Sequence, residues 1–290
     1  MIPVTRYLFI YEGEDGGALL RDSVSRQMKD LDKGIEYDFH SASGPEDALR
    51  HVSLYCDLHK DIDTCFVACG GDALTAGVAG GLMGAGESKT LGIYDPSGTN
   101  SLARYYEGAD FGSLAKLVEG SSTPIDMIRI NNSYAVNACI MGLDSLSGGN
   151  GFTPSLSAVL KCGFRSVKLK ADGIALDTGP VFLFTLSNGR YASGELHCAP
   201  QALNDDGKMD LCVIRNMPPA RLARVLQALA SGTLTDEPVF AGYYSAHRVR
   251  SVEIECTKDI TLSLDGHQLT GKEFKARIIP GAVRMVVPGE

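Results

Sequence analysis

The first 120 residues alternate between short apolar runs and longer amphipathic stretches. Strands are predicted at Tyr7–Tyr11, Ile35–His40, Thr64–Cys69 and Thr90–Tyr94. Helices are predicted between and after them, at Ala18–Leu31, Pro45–Leu58, Thr75–Met83 and Ser101–Tyr106. Strands that alternate with helices predict a parallel α/β sheet, whose ligands gather at the carboxyl ends of the strands.

After about Gly120 the pattern becomes that of an all-β domain, typical of a β-sandwich. Strands are predicted at Ile125–Ile130, Tyr134–Met141, Ser166–Ala171, Val181–Ser187, Met209–Ile214, Val249–Cys256, Ile260–Leu264, Phe274–Ile279 and Val283–Val287. Two helices interrupt this run, near Ser155–Cys162 and Ala220–Leu229. We therefore predict an α/β domain over residues 1–122 and a β-sandwich domain over 123–290, with the last strand free to return to the first domain.

The second of these helices is amphipathic. Its apolar face carries Leu222, Val225, Leu226 and Leu229. Such a helix could lie on a membrane surface, but packing against the sheet is the preferred interpretation.

The stretch from Thr64 to Thr75, TCFVACGGDALT, is a buried strand that ends in a tight glycine turn and leads into a helix. Gly70 and Gly71 let the backbone approach a ligand closely, and the start of the helix suits an anion. The turn would expose Asp72 as a proton acceptor or as a ligand of a nucleotide-bound metal. Capping of the helix by Asp72 is the alternative.

Composition narrows the class of protein. The 290 residues are 44% hydrophobic and 21% charged, enough for two modest cores. A formal charge of −8 argues against a nucleic-acid partner, which is gripped mainly by Lys and Arg. No apolar run approaches the ~20 residues of a membrane span, so we expect a cytoplasmic protein.

The eight cysteines form no CxxC pair. We expect buried, reduced thiols, because most of them lie in or beside apolar runs, at Cys65, Cys69, Cys139, Cys198, Cys212 and Cys256.

Two apparent motifs fail on their spacing. The segment Gly84–Thr90, GAGESKT, has Ser88 where a nucleotide P-loop needs glycine, and Thr90 opens a strand instead of a helix. Histidine and cysteine show no zinc spacing. Three glycine turns remain, GGDAL at 70–74, PSGTN at 96–100 and DGH at 265–267. The first two follow consecutive strands of the predicted sheet, so both could face one phosphate chain.

The order and spacing of these elements resemble the diacylglycerol kinase-like lipid kinases of bacteria, which are related to sphingosine kinases and more remotely to NAD kinases. CGGDAL at 69–74 is similar to the family's GGDGT loop, and LGIYDPSGTNSLAR at 91–104 to its LGIIPLGTGNDFAR segment. In the β domain, NGRY at 188–191, AP at 199–200, NDDGKMD at 204–210, LDGH at 264–267 and PGAVR at 280–284 resemble further family elements.

The resemblance implies a nucleotide-binding first domain, a lipid-binding second domain, and ATP and Mg²⁺ as cofactors. By this resemblance Asp72 activates the acceptor hydroxyl, and the nucleotide phosphates are lined by Gly70, Gly71, Asp72, Ala73, Leu74, Thr75 and Thr99. A magnesium site is carried over to Asp206 with the backbone carbonyls of Leu203 and Lys208. His267 is carried over as a catalytic position.

This chain departs from the family at several of these places. GGDGT has become GGDAL, and GTGND has become GTNS, which is one residue shorter and lacks the aspartate. The glutamate of the family's VDGE is His267. A neutral imidazole can accept a proton but cannot serve a magnesium-linked network as a carboxylate does.

Two functions of different classes follow from these residues. The first is an ATP- and magnesium-dependent kinase for a hydroxyl on a lipid or lipid-like acceptor, acting in transient contact with the membrane surface. The second is a non-catalytic lipid- or nucleotide-binding protein that keeps the lipid-kinase fold. Asp72 favours the first and His267 the second. A NAD kinase is less favoured, and homodimer formation is left open.

Overall fold

The computed structural model describes residues 6–13, 17–31, 34–142, 163–192, 197, 199–233 and 242–289. The chain divides into two compact units. Unit 1 comprises Met1–Ile125 and Gly281–Glu290, and unit 2 comprises Asp126–Pro280. An N-terminal domain followed by a β-rich domain is thus the architecture of the chain.

Unit 1 alternates strands and helices. Its elements are β1 (Arg6–Glu12), α1 (Gly17–Asp30), β2 (Glu36–Ala42), α2 (Pro45–Leu58), β3 (Thr64–Cys69), α3 (Asp72–Gly81), β4 (Lys89–Ile93), α4 (Ser101–Tyr105) and α5 (Leu114–Glu119). Strand β1 pairs in parallel with β2 and with β3, and β3 pairs in parallel with β4. Helix α5, which the sequence pattern did not predict, packs Leu114 and Leu117 into the core of this unit.

Two strands cross the boundary between the units along the chain. These are β5 (Ser121–Ile130) and β14 (His267–Val287). The last part of β14 pairs in parallel with β4, with Arg284 opposite Thr90 and Met285 opposite Leu91. Two separate strands were predicted over 274–287, which is wrong, since one strand of 21 residues covers them.

Unit 2 is built mainly from antiparallel strands. Its other elements are β6 (Ser133–Ala135), β7 (Ala138–Met141), β8 (Arg165–Ala171), β9 (Ile174–Leu176), β10 (Pro180–Ser187), β11 (Met209–Arg215), α6 (Pro219–Ser231), β12 (Tyr244–Val249) and β13 (Ser251–Leu264). The order β12-β11-β10-β7-β13-β14 describes its main run of paired strands. Strands β9 and β12 were not predicted. Two strands were predicted at Val249–Cys256 and Ile260–Leu264, but one continuous strand, β13, covers them from Ser251 onward.

Helix α6 packs its apolar face into a core of unit 2. Leu222, Val225, Leu226 and Leu229 are all buried there, together with Phe182 of β10. Packing against the sheet is therefore confirmed for this helix. The helix predicted at 155–162 lies outside the described residues. None of the helices in the described part of the chain is long and apolar enough to cross a membrane.

The six cysteines that the structure describes are all free thiols. Burial raises the pKa of the Cys65 thiol to about 12 and that of Cys56 to about 11, so these groups stay protonated and unreactive. Cys198 lies outside the described residues.

Candidate functional site

The parallel sheet of unit 1 reverses its winding at β1. Strand β2 lies on one side of β1 and β3 lies on the other. At such a reversal the loops that leave neighbouring strands diverge, and the crevice between them is where open α/β sheets bind ligands. The Gly70-Gly71 turn leaves β3 at this edge, so the fold places the glycine turn where a ligand is expected.

The glycine turn presents backbone to solvent. Gly70 and Gly71 are exposed, and Gly71 is the N-cap of the ten-residue helix α3. A Cβ atom at Gly71 would meet nothing within 4 Å, whereas one at Gly70 would come within 2.9 Å of Leu74 Cδ2. Amide groups in the first turn of a helix lack partners within the helix, which makes this end of α3 suitable for an anion.

The carboxylate of Asp72 is bound to the start of α4. Its Oδ1 accepts a hydrogen bond from the Ser101 backbone N–H at 2.7 Å, and its Oδ2 accepts one from the Ser101 hydroxyl at 2.5 Å. Asp72 is the first residue of α3 after its N-cap, Gly71, so it does not cap its own helix. It instead joins the GGDAL turn to the loop after β4, although 29 residues separate Asp72 from Ser101.

Burial raises the pKa of Asp72, and the two hydrogen bonds from Ser101 lower it in part. The repulsion from nearby Asp95 also raises this pKa, whereas Arg104 lowers it. A carboxylate with a raised pKa is a better proton acceptor than an ordinary aspartate.

Asn100 connects the same two loops a second time. Its side-chain nitrogen donates to the carbonyl oxygen of Gly70 at 3.2 Å and to the Thr75 hydroxyl at 2.9 Å. Its oxygen caps α4 by accepting from the N–H groups of Leu102 and Ala103. The residue is fully buried, so this link is protected from water.

The loop after β4 is held by Asp95. One of its carboxylate oxygens accepts from the Ser97 hydroxyl at 2.6 Å, and the other accepts from the Asn100 N–H at 2.8 Å. Gly98 adopts a φ of +68°, which favours glycine, and this places the exposed Thr99 at the tip of the loop. The Thr99 hydroxyl lies 2.9 Å from that of Ser97.

The other predicted phosphate-lining residues differ in how they are placed. Ala73 is partly exposed, but Leu74 is buried with a relative exposure of 1%, so only its backbone is available near the turn. Thr75 is fully buried, and its hydroxyl donates to the Gly71 carbonyl at 3.1 Å. The side chains of Leu74 and Thr75 therefore support the turn from inside.

An open cavity of about 450 Å³ lies beside α4 in unit 1. Among its lining residues are Asp95, Pro96, Ser97, Arg104, Tyr106 and Phe111. The cavity adjoins the loop that carries Thr99, which gives a ligand of this loop additional room.

Lys89 belongs to the GAGESKT segment, and its position confirms that the segment is not a P-loop. The residue is buried at the start of β4, and its ammonium group donates to the carbonyl oxygens of His59 and Ile62. Lys89 thus closes the end of α2 and the loop that follows it.

The remaining predicted site residues lie in unit 2. The turn Asn204–Lys208 connects to β11, and its Asp206 carboxylate accepts a hydrogen bond from the Lys208 N–H at 2.9 Å. The other oxygen of Asp206 forms an ion pair with Arg248 of β12. Leu203 has a relative exposure of 41%. A carboxylate that already holds a guanidinium does not fit a magnesium ion at the same oxygen.

His267 is partly exposed at the start of β14, opposite Leu264 in the hairpin. The neighbouring Asp265 is buried and accepts hydrogen bonds from three successive backbone N–H groups, those of Val136, Asn137 and Ala138. Its φ of +48° and the φ of +98° at Gly266 form the hairpin turn. The DGH sequence therefore has a structural task that its aspartate performs.

Two buried asparagines lie beside this hairpin, of which Asn188 belongs to the NGRY element and Asn137 was not among the predicted site residues. Asn137 is fully buried, and neither its side-chain oxygen nor its nitrogen has a hydrogen-bond partner among the described residues. The buried Asn188 donates to the carbonyls of Asp126 and Val136, both at 2.8 Å. For Asn137 the one available signal was its place within the apolar run YAVNACIM.

A family model described as the YegS C-terminal NAD kinase beta sandwich-like domain matches residues 152–287. The chain is 27% identical to "Probable lipid kinase YegS-like" of Pectobacterium atrosepticum, over 99% of this chain and 96% of the relative. It is equally 27% identical to the protein of the same name from Stenotrophomonas maltophilia, over 98% and 96% of the two chains.

The fold is similar to that of solved structures. A crystal structure of a diacylglycerol kinase from Bacillus anthracis matches with a TM-score of 0.73 and 17% identity, over 98% of this chain and 97% of that chain. The relatives and the C-terminal family model confirm the resemblance to bacterial diacylglycerol kinase-like lipid kinases. The solved structure supports the fold.

Proposed function

Because the chain resembles the YegS-like lipid kinases along almost its whole length, we propose that it transfers the γ-phosphoryl group of ATP to a hydroxyl group of a lipid or lipid-like acceptor. The observation that carries this proposal is the partly buried Asp72 carboxylate beside an exposed glycine turn at the edge of the parallel sheet.

In the proposed reaction the acceptor oxygen attacks the γ-phosphorus, the bond from that phosphorus to the β–γ bridging oxygen breaks, and ADP leaves. The proton of the acceptor hydroxyl passes to the carboxylate of Asp72, whose raised pKa suits that role. The bonds from Ser101 fix the orientation of Asp72 before the substrate arrives, and such positioning is a main source of rate in phosphoryl transfer.

The nucleotide phosphates would lie against the backbone of Gly70, Gly71, Ala73 and Leu74 and against the hydroxyl of Thr99. The exposed backbone at the start of α3 supports this assignment. Thr75 would act through the turn that it holds. Bound with the nucleotide, magnesium would neutralise phosphate charge. The described residues contain no group of three or more His, Cys, Asp or Glu side chains arranged to hold a metal by themselves.

A non-catalytic binding protein is the second candidate function. It is favoured by the fact that Ser101 occupies both carboxylate oxygens of Asp72, and by His267 at the position of the family's glutamate. A catalytic role of His267 stays a prediction. For the kinase, we expect the lipid acceptor to lie in a membrane surface. The protein would then be cytoplasmic and would contact the membrane transiently.

The test incubates the purified protein with γ-labelled ATP, magnesium and a bacterial lipid extract. We expect label in the lipid fraction, and Asp72→Asn should reduce its rate by about 100-fold or more. Asp57→Asn, on the exposed face of α2, is the matched control and should keep the parent rate.

A His267→Ala variant assayed in parallel decides whether the imidazole takes part. ATP that binds without any transfer of label, in the parent and in all variants, would support the binding protein and refute the kinase. If Asp72→Asn still transfers label at the parent rate, Asp72 is not the proton acceptor, although the protein is still a kinase.

A further inference from the structure

We infer that Arg248 holds the turn Asn204–Lys208 of unit 2 as a built-in cation, in the role that the family resemblance gives to magnesium. The Arg248 guanidinium forms an ion pair with Asp206 Oδ2, while Asp206 Oδ1 accepts the Lys208 N–H. Both oxygens of the expected metal ligand are therefore engaged by groups of the chain itself.

The register of the sheet brings Arg248 to this place. Strands β11 and β12 are antiparallel, and Asp210 lies directly opposite Arg248. The Nε atom of Arg248 is 3.9 Å from Asp210 Oδ1, so one guanidinium faces two carboxylates. The side chains of Asp206 and Asp210 are only 20% and 21% exposed. Two neighbouring carboxylates repel each other, and this repulsion is screened less by water when they are partly buried. A cation between them therefore stabilises their charged forms.

The rest of the turn is tied to the sheet by Asp126. The Asn204 carbonyl accepts from the Asp126 N–H at 2.6 Å, and the Gly207 N–H donates to Asp126 Oδ2 at 2.6 Å. Gly207 has a φ of +70°, which lets the chain reverse there. The carbonyl of Asn204 and both oxygens of Asp206 thus already have partners within the chain. Magnesium keeps most of its octahedral shell as water and binds proteins through one or two carboxylates, and the carboxylate that it would need here is engaged by Arg248 and Lys208.

A guanidinium on a strand differs from a metal in one measurable respect, because a chelator cannot remove it. The conformation and stability of this turn should therefore be the same with and without divalent cations. This inference does not depend on whether the protein is a kinase, since it concerns the fold of unit 2.

The experiment measures the melting midpoint of the nucleotide-free protein in EDTA and in excess Mg²⁺. We expect the parent midpoint to be the same in both. Arg248→Ala should lower the midpoint by roughly 3 °C. Arg250→Ala removes an exposed arginine two residues away and should change it by less than about 1 °C. Arg248→Lys should recover part of the loss, because it keeps the charge.

Two results would overturn the inference. One is a parent midpoint that rises with Mg²⁺ and loses this response in Asp206→Asn, since that would place a metal on Asp206. The other is an Arg248→Ala midpoint no lower than that of Arg250→Ala.

Discussion

At the scale of single residues, two opposing effects set the pKa of Asp72. The hydrogen bonds from Ser101 stabilise its charged form, and burial destabilises that form more strongly, so that its pKa is raised. A raised folded-state pKa means that the protonated form contributes to stability at low pH and that this contribution is lost as pH rises through the folded pKa. At neutral pH the ionised Asp72 therefore costs stability, as is common for groups kept for function.

The pH dependence of phosphoryl transfer follows from this shift. Only the ionised carboxylate can accept a proton, so the rate should fall on the acid side at a pH above the ordinary aspartate value of about 3.9. The measurement is the transfer rate between pH 4 and 8, with circular dichroism to confirm that the protein stays folded. A rate that stays constant down to pH 4 would argue against Asp72 as the proton acceptor.

Asp265 is the residue for which we predict the largest loss of stability. Asp265→Ala leaves three backbone N–H groups of buried residues without their acceptor, and each such group costs about 1–3 kcal/mol. We expect a net loss on the order of 3 kcal/mol, measured by urea unfolding. Asp259→Ala, at an exposed position of β13, is the control and should be close to neutral. Equal stability of the two variants would contradict a structural role for Asp265.

At the scale of elements, α2 and α3 approach each other closely because glycine lies at their contact. A Cβ atom at Gly77 would be only 2.3 Å from the Pro45 carbonyl oxygen, and one at Gly81 only 2.6 Å from the Leu49 carbonyl oxygen. The glycine turn lies at the start of α3. The distance between α3 and α2 therefore fixes the position of the proposed phosphate site.

We predict that Gly77→Ala destabilises the protein by about 1–3 kcal/mol through overpacking, although alanine is the better helix former by about 1 kcal/mol. Chemical denaturation measures this change. Gly71→Ala adds the same methyl group where nothing lies within 4 Å and serves as the control. If Gly77→Ala were as stable as the control, the close packing of these helices would be disproved.

At the scale of the whole molecule, unit 1 is discontinuous in sequence and unit 2 is continuous. The last part of β14 completes unit 1 by pairing with β4, and Val286 packs into the core there. The stability of the first domain thus depends on the last residues of the chain.

Removal of residues 282–290 should consequently loosen unit 1 and leave unit 2 intact. We expect faster amide hydrogen exchange in β3 and β4, with unchanged protection in β10 and β11. A shorter deletion of Gly289 and Glu290 keeps the paired part of β14 and is the control. Equal effects of the long deletion on both units would refute this division.

Elements whose signal is local could be predicted from the amino-acid sequence. Helix α2 begins at Pro45 and ends at Leu58 as predicted, because proline suits the first turn and the apolar spacing continues to the end. The buried strand before Gly70 and the glycine turn after it could also be predicted, since both produce short-range sequence patterns. The full lengths of β13 and of β14 could not be predicted, and each of these strands was predicted as two shorter ones. Polar residues in the middle of a strand resemble a turn when the paired strand is unknown.

Contacts between side chains from distant segments could not be predicted and depend on the folded arrangement of the strands. Asp72 and Ser101 are 29 residues apart, and Arg248 reaches Asp206 from a strand that the sequence pattern did not predict. Asn100 was visible as a loop residue, but its bonds to Gly70 and Thr75 depend on the parallel pairing of β3 with β4. Residue types and spacing constrain one segment at a time, whereas hydrogen bonds and ion pairs between loops depend on strand order and register, which are set by packing across the whole sheet.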